Sequence, residues 1–357
     1  MGRGTGEVTM LSRVADSIYW MARYVERAEN MARLLLSTAD LLLDAGAEGA
    51  DEAAFWGPIL AATGEEEAYA AQHRKIKGRD VAAFLTVSRE NPNSIVSNIA
   101  AARENARTVR DQISDELWEC VNGLKLWLDS SEGRAAGKRQ TAAFHETILR
   151  GSYRFQGIAD ATTPRGDGWH FFRLGTCLER ADQTSRLLDS CSRLSLEAAP
   201  HPDARPLRWA ALLRSCSAWH AFQTRSNRLE PEKIAAYLLL DTTFPRSVAC
   251  CIDEVHAALQ ALCGPEARLE TMADPVRQAG KLRADLAYAE MDTILSAGLH
   301  DYIDALQQRL NNIGDSVFRT FVLYADLTPV THGPDEVAPP TAFHWPAGDQ
   351  AAAAQQQ

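Results

Sequence analysis

Two glutamates, each followed directly by an arginine, are the residues whose type and setting could support acid–base chemistry: Glu26-Arg27 and Glu179-Arg180. Their surroundings are alike, since the first lies in MARYVERAENMARLL and the second in LGTCLERADQTSRLL. A carboxyl group that is partly shielded from water can act as a general acid or base near neutral pH. Glu26 and Glu179 are therefore the first catalytic candidates.

Polar residues continue from each glutamate at the spacing of one helical face, three, four or seven apart. Three interpretations stay open for these stripes. They could be solvated ion pairs that each contribute about 0.2–0.5 kcal/mol, buried ion pairs that fix helix packing, or a catalytic site that grips a carboxylate or phosphate. In the third, Glu29 is a further catalytic candidate, and the substrate-binding candidates are Arg23, Arg27, Asn30, Arg33, Arg180 and Arg186.

A second polar stripe begins at an Asn-Pro turn and contains three arginines within eight residues. Arginines close to a helix start, where backbone N–H groups are free, can bind an anion. A solvated surface face is the alternative interpretation. The stripe adds Glu104 as a catalytic candidate and, as binding candidates, Asn91, Asn93, Ser94, Arg103, Arg107 and, from the second half of the chain, Arg246.

Metal and cofactor sites of familiar type are not expected. Di-iron sites in helical bundles use Glu-x-x-His on two helices, and no histidine stands three residues after a glutamate in this pattern. No phosphate-binding glycine loop or nucleophile elbow is present either. The seven cysteines are spread out without a C-x-x-C pair, so we expect reduced, mostly buried thiols.

The two Glu-Arg segments belong to an internal repeat. The shift between them, 179 minus 26, is 153, and the same shift relates Trp56 to Trp209 and Pro92 to Pro245. Such a constant register predicts a duplication. We predict an N-terminal extension at 1–10, helical unit one at 11–163, helical unit two at 168–327, packed with the first as a single domain, and a disordered tail at 328–357.

Apolar residues in both units recur every three or four positions, which is typical of helices. In the first helix the apolar seam runs from Val14 to Leu42. Further helices are predicted at 52–63, 78–88, 116–129, 139–160, 205–227, 230–240, 275–296 and 299–326, and two more open at Asn91-Pro92 and Phe244-Pro245. The predicted fold class is all-α, a helical bundle of two duplicated units with a pseudo-twofold relation.

The composition limits the partners and the cellular location that we expect for this protein. The net charge of −10 opposes binding to nucleic acid, and no apolar run approaches the roughly 18 residues that span a bilayer. The first ten residues lack the apolar core of a secretory signal, and Met10 is a candidate alternative start. We therefore expect a cytoplasmic protein without a membrane or nucleic-acid partner.

Four long blocks of the sequence resemble the bacterial alpha-E family. They are LSRVADSIYWMARYVERAENMARLL, NPNSIVSNIAAARENARTVRDQIS, GWHFFRLGTCLERADQTSRLLD and LLLDTTFPRSV, and the resemblance extends over about 11–325. It implies an all-helical domain with characteristic glutamates, at Glu26 and Glu179 here. It also implies association with circularly permuted ATP-grasp ligases and transglutaminase-like peptidases, in a system that makes or modifies peptides or amides. The second unit departs from the first by having Asp182 where the first has Glu29.

Two functions follow. In the first, the chain is a catalytic component that acts with an ATP-grasp ligase on a small peptide or amino acid, with Glu26 or Glu179 as the general acid or base. In the second, it is a non-catalytic scaffold or substrate carrier for that ligase, and the charged residues hold the two units together.

Overall fold

The apolar seam of the first segment forms one long helix. Residues Ile18, Met21, Val25, Ala28 and Ala32 are all buried, and their spacing places them on a single face. This helix, α1, spans Ser12–Asp44. The seam that the sequence predicts here is therefore the core-facing side of the helix.

The computed structural model describes residues 10, 12–44, 52–196, 205–264 and 273–323. Within these residues it is helical, with no strand, so the all-α class is confirmed. The first eight helices are α1, α2 Glu52–Thr63, α3 Glu66–Gln72, α4 Gly78–Thr86, α5 Ile95–Thr108, α6 Asp115–Asp129, α7 Ser131–Arg139 and α8 Ala142–Thr162.

A second series of helices follows after a short connection. It begins with another long helix and ends with a π-helical turn at Arg319–Leu323. Its members are α9 Asp167–Leu196, α10 Arg205–Ser215, α11 Trp219–Gln223, α12 Pro231–Leu240, α13 Val248–Cys263, α14 Ala273–Ala287, α15 Met291–Ala297 and α16 Leu299–Phe318. The order of long and short helices parallels the first series, while the duplication itself remains a prediction.

The two long helices α1 and α9 pack against each other at the centre, and each is flanked by helices at equivalent places in the chain. Helices α5 and α8 pack on α1, and α13 and α16 pack on α9. Two contacts run crosswise, because α2 packs on α9 while α10 packs on α1. Trp56 of α2 and Trp209 of α10 are buried, as expected of core residues.

Two predicted helix starts were wrong. Helix α5 begins at Ile95 rather than at Asn91-Pro92, because Asn91 Oδ1 accepts the N–H of Asn93 in a tight turn and Ser94 Oγ then caps the helix. The second start, at Phe244-Pro245, moves to Val248 for the same reason, with Ser247 as the cap. In both places a side-chain cap ends the turn and sets the first helical residue.

Other differences concern breaks that the apolar pattern did not reveal. The predicted helix 205–227 is interrupted near Ser217, which has a φ of 57°. The predicted helix 275–296 is two helices, α14 and α15, and the one at 299–326 ends at Phe318 before the π-helical turn. The short helices α3 and α7 were not predicted, because neither contains a continuous apolar face.

Three further predictions concern the cysteines, membrane-spanning helices and the two ends of the chain. None of the seven cysteines forms a disulfide within the described residues, and all but Cys250 are buried. Among those same residues, no helix combines the length and the apolar character needed to cross a membrane. The predicted extension at 1–10, apart from Met10, and the predicted tail at 328–357 lie outside the described residues.

We expect Gly175→Ala to lower the free energy of unfolding by about 1–3 kcal/mol. Gly175 lies where α9 meets α1, and a Cβ there would collide with the carbonyl oxygen of Tyr19. The matched control is Gly157→Ala on α8, where a Cβ meets no atom within 4 Å. That change should raise stability by about 0.5–1 kcal/mol. Thermal or urea unfolding measures both, and equal effects of the two changes would contradict this close approach.

Candidate functional site

Both Glu-Arg pairs lie at the contact between α1 and α9, in the interior of the protein. The exposed fraction of Glu26 is 1%, and that of Glu179 is 0%. The apolar seam of each helix turns these residues inward because they lie beside it on the same side of the helix. A buried carboxylate costs several kcal/mol unless cations and hydrogen-bond donors surround it, so the partners of each glutamate decide what it can do.

Glu26 on α1 is held by two arginines from the second half of the chain. Arg180 Nε lies 3.0 Å from Glu26 Oε1, and Arg246 Nη1 lies 2.7 Å from the same oxygen. The other carboxylate oxygen, Oε2, accepts a hydrogen bond of 2.8 Å from Gln156 Nε2. Oε2 is thus hydrogen-bonded, whereas Oε1 meets the two arginines in ion pairs but has no hydrogen-bond partner among the described residues.

Glu179 on α9 is held in the reverse sense by two arginines of α1. Arg27 Nε lies 2.7 Å from Glu179 Oε1 and Nη2 lies 3.0 Å from Oε2, which is the two-bond geometry favoured by guanidinium and carboxylate groups. Arg23 Nε adds a contact of 2.8 Å to Oε2. Since Arg180 binds Glu26 and Arg27 binds Glu179, each Glu-Arg pair supplies an anion to the other helix and receives a cation from it. We call these contacts the reciprocal clamp.

Glu29, one turn after Glu26, lies in the same buried network. It forms ion pairs with Arg33 on its own helix and with Arg246, whose Nη2 is 2.5 Å from Oε1. Ser152 Oγ donates to Oε2 at 2.5 Å, and Gln156 Nε2 donates to the same oxygen at 3.2 Å. Arg246 also donates through Nη1 to Asn30 Oδ1 at 2.8 Å.

The surrounding cations keep two of these carboxyl groups ionised. Burial acts to raise the pKa of Glu179, but Arg27 and Arg23 outweigh it and lower the pKa from 4.5 to about 2. Burial acts on Glu29 in the same direction, and Arg246 and Arg33 lower its pKa in turn. Both groups are anions at neutral pH, with no tendency to hold a proton there.

The outer side of the Glu179 pair is a layer of aromatic and amide groups. Arg23 donates to the Tyr19 hydroxyl at 3.0 Å and lies over the Trp20 ring at 5.1 Å. Arg27 donates to Asn93 Oδ1 at 2.9 Å. Asn93 is therefore a support for Arg27, and its amide nitrogen in turn donates to Glu65 at 2.7 Å.

The other candidate residues of the Asn-Pro turn, Asn91 and Ser94, form hydrogen bonds with backbone atoms. Asn91 is fully buried, and besides its bond to Asn93 its amide nitrogen donates to the carbonyl oxygen of Phe84 at 3.3 Å. Ser94 caps α5 through a bond of 3.2 Å from the N–H of Ser97. Asn91 and Ser94 thus hold the turn that presents Asn93 to Arg27.

Glu104, Arg103 and Arg107 form a separate, exposed group on α5. Glu104 contacts Arg103 at 2.5 Å and Arg107 at 2.9 Å, and these hydrogen bonds lower the pKa of Glu104. Arg103 Nε also donates to Asn122 at 3.1 Å. The structure therefore does not bring Glu104 to the buried glutamates, and its two arginines are paired with it on the surface.

The last sequence candidate, Arg186, lies further along α9. Its Nε forms an ion pair of 2.9 Å with Asp182 Oδ2, four residues earlier. This pair occupies the position that Glu29 and Arg33 hold on α1. It differs in burial, since 30% of the Arg186 side chain is exposed, and Arg186 lines a polar cavity.

Sequence reasoning missed the contribution of α8. Ser152 and Gln156 donate to the buried glutamates, Arg33 donates to the hydroxyl of Tyr153 at 2.9 Å, and Arg180 also bonds Gln156. The available signal was a pair of polar residues four apart on the face that buries Ile148. That signal says that a polar group is buried there, but not which carboxylate it meets.

One group of metal-ligand type is present in the described part of the chain: Asp189, His300 and Asp304. His300 Nδ1 bonds Asp189 Oδ1 at 2.8 Å, and Asp304 lies on the other side of the ring at 3.6 Å. The side chain of Asp304 is half exposed. The hydrogen bond between His300 and Asp189 links α16 to α9, and this structural role is sufficient to explain why the three side chains lie together. The expectation of no metal and no cofactor remains a prediction.

These features define an all-helical protein built around two Glu-Arg pairs whose glutamates are buried. A family model described as "a predicted alpha-helical domain with a conserved ER motif" matches residues 10–322. The chain belongs to this family, Alpha-E, as the sequence blocks indicated. The two ER dipeptides of this sequence are the two halves of the reciprocal clamp.

The curated relatives include uncharacterized proteins of Mycobacterium bovis and of Mycobacterium tuberculosis. Each of two is 27% identical over 337 residues, covering 85% of this chain and 37% of the relative. A third, also from Mycobacterium tuberculosis, is 26% identical over the same length. The chain therefore spans little more than a third of these relatives. No solved structure is significantly similar to it.

The lowered pKa of Glu179 predicts a loss of stability in acid. Because the folded-state pKa of about 2 lies below the usual 4.5, the stabilisation is complete above about pH 4.5 and disappears as the pH falls toward 2. Glu179→Gln should lower stability at pH 7 by about 3–5 kcal/mol, since it removes a fully buried carboxylate and leaves Arg23 and Arg27, only 15% and 21% exposed, without their anion. It should also flatten the dependence of stability on pH between these values.

Urea unfolding at a series of pH values measures both effects. The control is Glu119→Gln, an exposed residue on α6, which should leave the stability and its pH profile unchanged. An unchanged pH profile in Glu179→Gln would contradict the assignment of this carboxylate as a permanent anion.

Proposed function

We propose that this protein is a non-catalytic scaffold or substrate carrier in an ATP-grasp-linked system that makes or modifies peptides or amides. The observation that supports this choice is the reciprocal clamp. The two characteristic glutamates, Glu26 and Glu179, are buried and directed at arginines of the opposite helix. Their carboxylates pair with these arginines and so hold α1 and α9 together.

A general acid or base needs a pKa near the working pH and an oxygen that can reach the substrate. Glu179 lacks the first, because its pKa is lowered to about 2. Glu26 lacks the second, because its side chain is buried and Arg180, Arg246 and Gln156 lie against its two oxygens. The catalytic alternative would require the clamp to open, which would leave several charges buried without partners.

The energetic cost of breaking the clamp also fits a structural role. Removing one partner of a buried, hydrogen-bonded ion pair costs about 3–5 kcal/mol, which is a large part of the roughly 5–15 kcal/mol that holds a typical domain folded. Such a pair restricts which residues can stand at the helix contact. A strict Glu-Arg motif follows from this requirement without any catalytic function.

The ligase partner is inferred from the resemblance to the alpha-E family and from the length of the relatives. Since the chain covers 37% of the mycobacterial proteins, the corresponding region in them is joined to further sequence. This arrangement supports a domain that works beside another protein or domain. A transglutaminase-like peptidase is the second partner that the resemblance suggests, and the cytoplasm is the proposed location.

Co-expression of this chain with a circularly permuted ATP-grasp protein of the same organism tests the proposal. Complex formation is measured by pull-down, and products formed from ATP and amino acids are measured by mass spectrometry. We expect Glu26→Gln and Glu179→Gln to lower the melting temperature and the amount of complex, because each removes an anion from the clamp. The amount of product per folded complex should stay unchanged.

The control is Glu104→Gln, which changes an exposed glutamate outside the clamp and should alter neither melting temperature nor product. A different pattern would establish the catalytic alternative: an unchanged melting temperature and intact complex in Glu26→Gln or Glu179→Gln, with product lost. Failure of the wild-type chain to form any complex would overturn the ligase partnership.

A further inference from the structure

A polar cavity of about 360 Å³ opens between α2, the start of α3, the later turns of α9, and α16. It is not part of the buried glutamate network. Small-ligand sites have volumes of about 300–1,000 Å³ and combine an apolar lining with a few polar groups. The apolar part comes from Gly57, Pro58, Ala61 and Ala62, and the polar part from Glu66, Arg186, Asp189, Ser190, Arg193 and Gln307.

Two arginines lie on the α9 wall of this cavity. Arg186 and Arg193 are seven residues apart, so they share one face of the helix at a separation of about 10 Å along its axis. Asp182 holds Arg186 through Nε, and among the described residues no group accepts from its two Nη atoms. Arg193 is exposed and forms no ion pair within that part of the chain.

The opposite side of the cavity carries an acid. Glu66, in the first turn of α3, is exposed and forms no ion pair with any residue that the structure describes. Asp189 adds a second carboxylate between the two arginines, where His300 bonds it at 2.8 Å. The lining therefore offers sites for both signs of charge, which suits a ligand that carries both.

We propose that this cavity binds a short acidic peptide, and this inference rests on the proposed carrier function. Arg186 binds the C-terminal carboxylate, with its guanidinium already oriented by Asp182. Arg193 binds a second carboxylate, and Glu66 binds the peptide's ammonium group. Charge-assisted bonds of this type are the strong polar contacts in such sites.

The size and charge of the cavity favour a peptide over a phosphate. An extended peptide advances about 3.3–3.6 Å per residue, so a distance of about 10 Å between the arginines corresponds to roughly three residues. A phosphate would be attracted by one arginine but repelled by Glu66 and Asp189. A dipolar ligand satisfies both groups at once, and it uses the apolar side formed by α2.

The cavity is connected to the clamp through α9. Glu179, Asp182 and Arg186 lie at spacings of three and four on that helix, so the arginine of the cavity belongs to the same polar stripe as the buried glutamate. Because the clamp fixes α9 against α1, it also fixes the wall that carries Arg186 and Arg193. The characteristic glutamates would then act as positioning residues for a binding site about two turns and more away along α9.

Isothermal titration of the full chain with the tripeptide glutamyl-alanyl-alanine, whose two carboxylates lie at opposite ends, within a panel of acidic tripeptides, tests this site. The comparison ligands are glutaminyl-alanyl-alanine amide, which lacks both carboxylates, and inorganic phosphate. We expect binding of acidic tripeptides and none of the amide. Arg193→Gln and Glu66→Gln change exposed side chains, so both should fold normally and weaken peptide binding by about tenfold or more.

The matched control is Arg150→Gln on α8, which removes an exposed arginine outside the cavity and should leave the affinity unchanged. The inference is overturned if no tripeptide of the panel binds at millimolar concentration, or if the amide binds as tightly as the acid. It is also overturned if phosphate displaces the peptide while Glu66→Gln has no effect, since that defines a simple anion site. None of these results affects complex formation with the ligase, so the two proposals fail separately.

Discussion

The exchange of charge between α1 and α9 is the constraint on which the remaining structure depends. Carboxylates buried at this contact are tolerated only because guanidinium groups meet them. Arg180 and Arg27 come from the facing helix, and Arg246 comes from the loop before α13. A slip of one residue along either helix would rotate its side chains by about 100° and separate these groups. Contact between the apolar seams is compatible with several relative positions of α1 and α9, whereas the ion pairs form in only one of them.

Helix α9 contains both a part that is fixed by buried ion pairs and a part that is accessible from a cavity. The middle of α9 is fixed by Glu179 and Arg180, and its later turns carry Arg186 and Arg193 to the surface of a cavity. A site of that kind needs side chains whose positions do not depend on the ligand. In the proposed site the buried glutamates provide the fixed support, and the polar residues beyond them on α9 provide the contacts.

The sequence was sufficient for the fold class and for the identity of the central residues. Periodic apolar seams predicted the helices, and the repeated Glu-Arg pair indicated its own importance. The partners of Glu26 were harder to predict, because Gln156 lies on α8 and a helical face alone does not say which neighbour it meets. The starts of α5 and α13 were missed because side-chain caps at Ser94 and Ser247, rather than the nearby prolines, set them. Whether a carboxylate is catalytic or structural depends on burial and on distant cations, neither of which spacing reveals.

The crosswise contacts have a consequence for each half of the chain taken alone. Helix α2 covers α9, and α10 covers α1, while each glutamate of the motif receives its main cation from the opposite half. A fragment that ended after α8 would contain Glu26 without Arg180 and Arg27 without Glu179, next to an uncovered apolar face. In such a fragment these charges would face solvent, or the matching charges of a second copy in a homodimer. In the present protein both halves belong to one covalent chain, so the contact between them is independent of protein concentration.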